Sequence, residues 1–186
     1  MKVLKLMGIV IVVILVIFMT FLFYMGYFNT LKVNEKEMGP YTYVYERFVG
    51  PYMDSGAVFM RIEKELKAMD VSTEKAIGFY YDNPAKVAKE KLRSDCGIVL
   101  EEKDMPRVPE LKKKFKVAAF QKKDCMVIEF PVKNMLSYMI GPIKCYDALF
   151  KYAKEKNYKI ETNGSMVTTF EYYLKDKILF VMEIVK

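Results

Sequence analysis

The feature that most constrains this chain is a long uncharged run near its N-terminus. Leu6 to Phe28 spans 23 residues, LMGIVIVVILVIFMTFLFYMGYF, without one charged side chain. At 1.5 Å per residue, a helix of this length crosses a hydrocarbon core of about 30 Å. The run therefore predicts a transmembrane helix over residues 6–28, and a single-pass membrane protein with an N-terminal anchor.

A cleaved signal peptide is the alternative, because Lys2 and Lys5 make a plausible positive n-region. Signal peptides usually have an apolar run of about 7 to 15 residues and a cleavage site of small residues. This run is far longer and ends in YMGYFN, so a retained anchor is the better interpretation. Lys32 and Lys36 on the other flank nearly balance Lys2 and Lys5, which leaves the side of the membrane open.

Composition excludes several classes of chemistry. The chain has 186 residues, 53% of them hydrophobic and 28% charged, as expected for one globular domain. It has no histidine, which excludes a Ser-His-Asp triad, a Cys-His pair and every His-ligated metal site. The three cysteines form no CxxC pair, so no disulfide framework, metal site or cofactor is expected. The net charge of +7 is spread along the chain, with one lysine cluster at 112–116 that fits a solvated connector.

Residues 29–39 are polar and are predicted to be a linker, after which a compact domain begins at Pro40. Residues 40–101 contain a strand YTYVYERF, a helix, and the strands AIGFYYD and CGIVLEE. Asp54 or Ser55 is expected to cap the helix. Helical spacing predicts a buried face made of Phe59, Ile62, Leu66 and Met69.

The same β-α-β-β order returns over residues 117–186, after a charged connector. Its parts are the strand CMVIEFPVKNML, a helix, and the strands VTTFEYYL and ILFVMEIVK. The predicted buried face of this helix is Ile143, Tyr146, Leu149, Phe150 and Ala153. The tripeptides VGP at Val49 and IGP at Ile140 are 91 residues apart, and the two Tyr-Tyr pairs 92, which predicts an internal duplication.

These motifs resemble a known family. The Gly-Pro helix entry in each half, YYDNP followed by EKLRSDCGI, and FEYYLKD before a terminal strand are similar to the GyrI-like small-molecule-binding domain. That domain also serves as the effector-binding domain of some bacterial transcription regulators. The resemblance covers about residues 40–186. It implies an α+β fold of two tandem β-α-β-β modules, 40–101 and 117–186, that enclose a central groove.

The N-terminal helix followed directly by such a domain also resembles the membrane-anchored form of the family. That form includes a receptor for autophagy of the endoplasmic reticulum and its bacterial relatives. In the receptor, a disordered acidic tail carries the binding to the autophagy machinery, and this sequence ends with its last strand, so that activity is not expected. No helix-turn-helix segment is recognisable, so nucleic acid is not an expected partner. The expected partners are a small-molecule ligand and, through residues 6–28, the lipid bilayer.

Alternation along the last-but-one strand predicts which side chains face the groove. Thr169, Glu171 and Tyr173 are expected to face it, with Phe170, Tyr172 and Leu174 toward the helix. In the family, the glutamate of this strand lies in the groove and, with tyrosines, recognises ligands that are often bulky aromatic cations. By the repeat, Phe79 and Tyr81 take the matching positions in the first half. The candidate ligand-binding residues are Glu171, Tyr173, Tyr81, Phe79, Tyr43, Tyr45 and Glu183.

Two alternatives to a binding module stay open. Some GyrI-like proteins hydrolyse strained cyclopropane-containing toxins, and that likeness implies Glu171 and Tyr173 as catalytic residues. This role needs the pKa of Glu171 raised toward neutrality by burial. A protein-interaction platform is the other alternative. Glu171 would have no ligand-binding role if it lay solvated on a half-exposed strand face, as charged residues often do.

Overall fold

The computed structural model describes residues 2–24, 27–28, 30–162 and 165–186. Four α-helices are described: α1 Lys2–Tyr24, α2 Gly56–Ala68, α3 Val108–Leu111 and α4 Ser137–Glu155. The strands are β1 Asn34–Met38, β2 Tyr41–Val49, β3 Ala76–Tyr80, β4 Arg93–Val99, β5 Lys116–Phe120, β6 Lys123–Pro131, β7 Glu161–Thr162, β8 Ser165–Met166, β9 Thr169–Tyr173 and β10 Lys177–Glu183. Short 3₁₀ helices cover Tyr52–Ser55, Lys89–Lys91 and Glu102–Arg107.

Helix α1 contains the apolar run and is not packed into the core of the domain. Its stretch Lys5–Tyr24 is long and apolar enough to cross a membrane, and none of it is buried inside the protein. A core helix of a soluble protein would be mostly buried, whereas a signal sequence would meet the same criteria of length and composition. The structure therefore bears out the apolar helix that the sequence predicts.

Eight strands form one antiparallel sheet in the order β1-β6-β10-β9-β3-β4-β2-β5. The two halves of the sheet have the same arrangement, β2-α2-β3-β4 in one and β6-α4-β9-β10 in the other, and they meet where β3 pairs with β9. Each half also receives an edge strand from the other. Strand β1 pairs with β6, and β5 pairs with β2. Strand β1 lies inside the segment predicted to be a linker, so that prediction is wrong for residues 34–38.

The two faces of the sheet are both covered, in different ways. Helix α2 packs on one half of the first face through Val58, Ile62 and Leu66, and α4 packs on the other half through Cys145, Leu149 and Ala153. The opposite face carries a core cluster to which both edge strands contribute, through Met38 and Phe120.

The second face must be strongly concave. The rings of Phe120 on β5 and Phe170 on β9 are 4.8 Å apart between centroids, although three strands separate these two in the sheet. Neighbouring strands are about 4.8 Å apart, so a flat sheet would hold these rings far from each other. The sheet therefore curls into a half-barrel, and the aromatic rings fill its inside instead of leaving an open groove at the centre.

This covering overturns the predicted assignment of faces along β9. Phe170 and Tyr172 lie in the cluster inside the half-barrel, and Leu174 packs against that cluster. Tyr173 packs instead beneath α4, and the neighbouring Glu171 points to this same helix side. The sequence prediction places the apolar set toward the helix because side chains that line a ligand groove are usually more polar than those packed under a helix. That reasoning fails because the sheet buries both faces.

Other local predictions need correction as well. The helix of the second half begins at Ser137, before the Gly-Pro pair, so Gly141 and Pro142 lie inside α4. Ile143 is exposed and not buried. Neither Asp54 nor Ser55 caps α2 with its side chain, because a 3₁₀ turn leads into that helix. The connector before β5 is folded, with Leu111 of α3 fully buried.

Gly141 allows α4 to lie close to the sheet, and this gives a first prediction. A Cβ at Gly141 would be 2.8 Å from the ring of the buried Phe180, whereas a Cβ at Gly56 in α2 would touch nothing within 4 Å. We expect Gly141→Ala to lower the free energy of unfolding by about 1 to 3 kcal/mol through overpacking. The matched change Gly56→Ala should be neutral or stabilising by up to about 1 kcal/mol. Urea unfolding of both variants measures the difference, and equal effects would contradict the close approach.

Candidate functional site

Glu171 lies at the centre of the molecule, on the helix side of β9. It is directly opposite Gly78 of β3 and is only 5% exposed. The groups that act on its charge come from both the sheet and α4, among them Tyr173, Tyr146 and Cys145. A buried carboxylate without a basic partner is costly, so its surroundings decide its chemistry.

A chain of hydroxyl groups leads to this carboxylate. The Tyr173 hydroxyl donates a hydrogen bond of 2.7 Å to Oε2 of Glu171. The hydroxyls of Tyr80 and Tyr173 are 2.8 Å apart, and since the Tyr173 proton points to Glu171, Tyr80 donates to Tyr173. This chain of two hydrogen bonds therefore connects Tyr80 of β3 and Tyr173 of β9 to the carboxylate of Glu171.

Aromatic rings from both helices line the same region. The ring of Tyr173 meets Phe59 of α2 edge-on at 5.5 Å between centroids and lies parallel to Tyr138 of α4 at 6.2 Å. Tyr52 packs edge-on against Tyr80 at 4.9 Å. The carboxylate therefore lies in an aromatic box between the sheet and the two helices, and we call the group Phe59, Tyr80, Tyr138, Tyr146, Glu171 and Tyr173 the central site.

Burial raises the pKa of Glu171 to about 7, while the hydroxyls of Tyr173 and Tyr146 act in the opposite direction. Burial and the nearby Glu171 charge raise the pKa of Tyr80 and of Tyr146 well above the ordinary value. The Tyr146 hydroxyl is close enough to stabilise the carboxylate, yet it completes no hydrogen bond with good geometry to any described residue. The central site thus holds an acid, Glu171, with a pKa near neutrality, and a buried hydroxyl, that of Tyr146, without a hydrogen bond to any described residue.

The two halves of the sheet carry different residues at the centre of the site, Gly78 on β3 and Glu171 on β9. Gly78 lies opposite Glu171, and a Cβ at Gly78 would be 3.2 Å from the Phe59 ring and 3.0 Å from the Tyr80 hydroxyl. One half therefore fills its centre with an aromatic ring over a glycine, and the other places a carboxylate beside Tyr146. Sequence spacing predicts Phe79 as the counterpart of Glu171, but Phe79 lies opposite Phe170 inside the half-barrel.

The predicted residues Phe79, Tyr81, Tyr43 and Tyr45 do come together, but on the concave face and around a different acid. The Tyr43 ring stacks on Phe79 at 5.2 Å and contacts Tyr45 at 5.6 Å. Tyr81 donates a hydrogen bond of 2.6 Å to Asp95, a buried carboxylate that the sequence analysis missed.

Arg47 already neutralises Asp95. Its guanidinium donates two hydrogen bonds to the carboxylate, of 2.8 and 3.0 Å, and lies 5.4 Å from the centre of the Tyr81 ring. Burial, followed by the hydrogen bond to Asp95, raises the pKa of Tyr81. Arg47 and Asp95 occupy facing positions of β2 and β4. Opposite charges on two strands could have indicated this pair, but the sequence alone does not give the register that brings them together.

Glu183 lies at the end of β10, away from the central site. Its carboxylate pairs with Lys123 at 2.5 Å. Glu129, a further acidic candidate, pairs with Lys36 at 3.2 Å and with Lys177 at 2.8 Å. Both acids therefore belong to ion pairs near the surface. Tyr80 and Tyr146, by contrast, belong to the central site but are not among the predicted site residues. The sequence analysis selects Tyr81 instead of Tyr80 from the first Tyr-Tyr pair, and it assigns Tyr146 only to the buried face of its helix.

Several solved structures are similar to this chain in fold. The C-terminal domain of EcmrR matches with a TM-score of 0.58 at 11% identity, over 84% of this chain and 98% of that domain. SAV2435 bound to tetraphenylphosphonium matches with a TM-score of 0.53 at 12% identity, over 82% and 93%. EcmrR in its complex with DNA matches with a TM-score of 0.59 at 11% identity, over 98% and 69%.

Two curated proteins are similar in sequence, whereas no family model matches the chain. Testis-expressed protein 264 homolog of Mus musculus is 31% identical over 147 residues, which cover 75% of this chain and 44% of that protein. Testis-expressed protein 264 of Homo sapiens is 30% identical over 122 residues, covering 62% and 37%. The chain thus spans less than half the length of the curated relatives it matches.

The raised pKa of Glu171 predicts how stability depends on pH. The native pKa of about 7 lies above the ordinary 4.5, so the native state binds more protons between these values and loses stability as pH rises through them. One pKa unit corresponds to about 1.4 kcal/mol, so ionised Glu171 costs about 3 kcal/mol above pH 7. We expect Glu171→Gln to raise the free energy of unfolding by up to that amount at pH 8, and much less at pH 5.

The measurement is urea unfolding of the full chain in detergent at both pH values. Glu102→Gln, at an exposed position in the 3₁₀ helix after β4, is the matched control and should show no such difference between pH 5 and pH 8. If Glu171→Gln had the same effect at both pH values, the carboxylate would not titrate as an isolated buried acid.

Proposed function

We propose that this chain is a membrane-anchored protein that binds an amphipathic or cationic small molecule, with Glu171 as the charged acceptor. One observation carries the proposal: the buried carboxylate of Glu171, which forms no ion pair with any described residue, lies in an aromatic box and has a pKa near neutrality. A cation bound there would replace the proton and restore the charge balance. The surrounding tyrosine rings would add cation-π attraction of roughly 0.5 to 2 kcal/mol each.

The proposed ligand site is the central site. It keeps Glu171 and Tyr173 from the sequence prediction and adds Tyr80 and Tyr146. The Tyr80 hydroxyl is hydrogen-bonded to that of Tyr173, and the Tyr146 hydroxyl lies near the Glu171 carboxylate. The similar fold of SAV2435, solved with the bulky aromatic cation tetraphenylphosphonium, supports this class of ligand. Phe79, Tyr81, Tyr43 and Tyr45 are assigned to packing around Asp95, because Arg47 already occupies that charge. Glu183 has no ligand role in this proposal.

We also infer that the domain arose by duplication of a β-α-β-β module, residues 40–101 and 117–186. The strands β1 and β5, and likewise β2 and β6, begin and end 82 residues apart. The two halves also have the same strand pairings, including the exchanged edge strands. On this account the central site formed at the junction of two modules, where a single change from a small residue to glutamate creates a charge.

The anchor is part of the same proposal. Residues 6–28 would lie in the lipid bilayer as a retained helix, supported by the finding that none of the stretch Lys5–Tyr24 is buried inside the protein. Apolar side chains on every side of a helix are stable in lipid and not in water. A tethered domain would meet amphipathic compounds at the membrane, where such compounds concentrate.

Titration with tetraphenylphosphonium tests the ligand site. We expect the full chain in detergent to bind this cation at pH 8, and Glu171→Gln to weaken binding at least about tenfold. Below pH 7 the affinity of the unchanged protein should fall about tenfold per pH unit, because the proton competes with the cation. Glu183→Gln is the control and should bind normally. Equal affinity of all three proteins would refute the assignment of Glu171.

Tyr146 separates a ligand role from a structural one. Its buried hydroxyl completes no hydrogen bond with a described residue, so Tyr146→Phe should leave the free energy of unfolding at pH 5 unchanged or higher by about 1 kcal/mol. If ligands use this hydroxyl, as we propose, the same variant should lose much more affinity for a cation that carries a hydrogen-bond acceptor than for tetraphenylphosphonium. Calorimetric titration with the two cations shows the difference. A stability loss at pH 5 would contradict the unsatisfied hydroxyl.

Hydrolysis of an electrophilic ligand is the second candidate function. It is favoured by the same pKa of about 7, which suits a general base at neutral pH. In that case Glu171 would take a proton from water while the Tyr173 hydroxyl orients the carboxylate. Steady consumption of an electrophilic compound by catalytic amounts of protein, abolished in Glu171→Gln, would decide for this function.

A further inference from the structure

The beginning of α4 exposes an apolar stripe. Met135, Met139 and Ile143 follow one another at intervals of four residues, and their exposed fractions are 79%, 46% and 69%. Met139 and Ile143 lie on one side of α4, and Met135 lies in the turn just before that helix. Leu136 and Tyr138 beside them are also exposed. In a soluble protein such a stripe is normally covered by something.

The stripe lies next to the end of the apolar helix α1. The amino group of Lys133, just before the stripe, donates to the carbonyl oxygen of Tyr24, and lies 4.9 Å from the centre of its ring. The amino group of Lys144, just after the stripe, donates to the carbonyl oxygen of Tyr27, and lies 5.3 Å from the centre of that ring. Cations are favourable at the C-terminal end of a helix. Both ends of the α4 stripe are thereby tied to the point where the chain leaves α1.

We propose that the α4 stripe, Met135, Met139 and Ile143, rests in the interface of the bilayer that α1 crosses. This inference depends on the proposed anchoring by α1. Lipid is the occupant that the structure favours, because the helix end held by Lys133 and Lys144 is where a spanning helix meets the headgroups. Lysines beside apolar side chains suit this depth, since their amino groups reach the polar layer while their stems stay in lipid.

This position would bring the central site close to the membrane. Tyr138 comes directly before Met139 of the stripe, is itself exposed, and has its ring nearly parallel to that of Tyr173 at 6.2 Å. Tyr173 in turn donates to Glu171. An amphipathic ligand would therefore pass from the lipid interface to the acid within the length of two aromatic rings.

The absence of tryptophan from the sequence provides a direct test. Four single-tryptophan variants of the full chain are reconstituted in phosphatidylcholine vesicles: Met139→Trp and Ile143→Trp in the stripe, Leu15→Trp in α1, and Met105→Trp in the 3₁₀ helix after β4. Met105 is exposed and its helix packs near the far end of α2, away from α4. Lipids brominated near the headgroup or deep in the acyl chain then serve as quenchers.

We expect the shallow quencher to remove most of the fluorescence of Met139→Trp and Ile143→Trp, the deep quencher to act on Leu15→Trp, and Met105→Trp to respond to neither. Quenching of Leu15→Trp without quenching of the stripe variants would overturn the inference and keep the anchor. Blue-shifted but unquenched stripe variants would also overturn it, and would indicate that protein, such as a second copy, covers the stripe. An unquenched Leu15→Trp would refute anchor and inference together, while tetraphenylphosphonium binding separately decides the ligand site.

Discussion

The pairing of β3 with β9 sets the surroundings of Glu171, and the rest of the molecule is arranged around that pair. The two halves of the sheet meet at its centre where these two strands pair. Their register puts Gly78 opposite Glu171 and lets the hydroxyls of Tyr80 and Tyr173 meet at 2.8 Å. A shift by one residue would turn the glutamate into the half-barrel and a phenylalanine toward the helices. The register therefore fixes the chemistry of the site as well as the fold.

Burying this acid has an energetic cost that the remaining contacts must offset. The two helix clusters and the aromatic cluster supply that stabilisation. A group whose ionisation opposes folding is a typical sign of a site selected for function instead of stability. The buried hydroxyl of Tyr146, which completes no hydrogen bond with a described residue, points the same way.

The sequence predicted the elements better than their faces. The strands around Tyr43, Phe79 and Glu171 and the two long helices follow from periodicity, and their order from the repeated Gly-Pro and Tyr-Tyr marks. The assignment of faces failed because the half-barrel buries the inner face as fully as the helices bury the outer one, so the polarity of a side chain on β9 does not tell which face it is on. The exchange of the edge strands β1 and β5 between the two halves could not be predicted from the sequence either. A short polar segment such as NEKEM becomes a strand only because an edge of the sheet is available to it.

The contrast between the two buried acids explains why one of them is the better candidate. Asp95 and Glu171 lie on opposite faces of the sheet, each among tyrosines and each accepting a hydrogen bond from one. Asp95 also receives both prongs of the Arg47 guanidinium, so the protein itself provides its cation and an incoming one would have to displace it. No described basic side chain forms an ion pair with Glu171, and its charge is balanced by a proton instead. A proton leaves near neutral pH at little cost, and a cation that offers aromatic contacts in return can take its place.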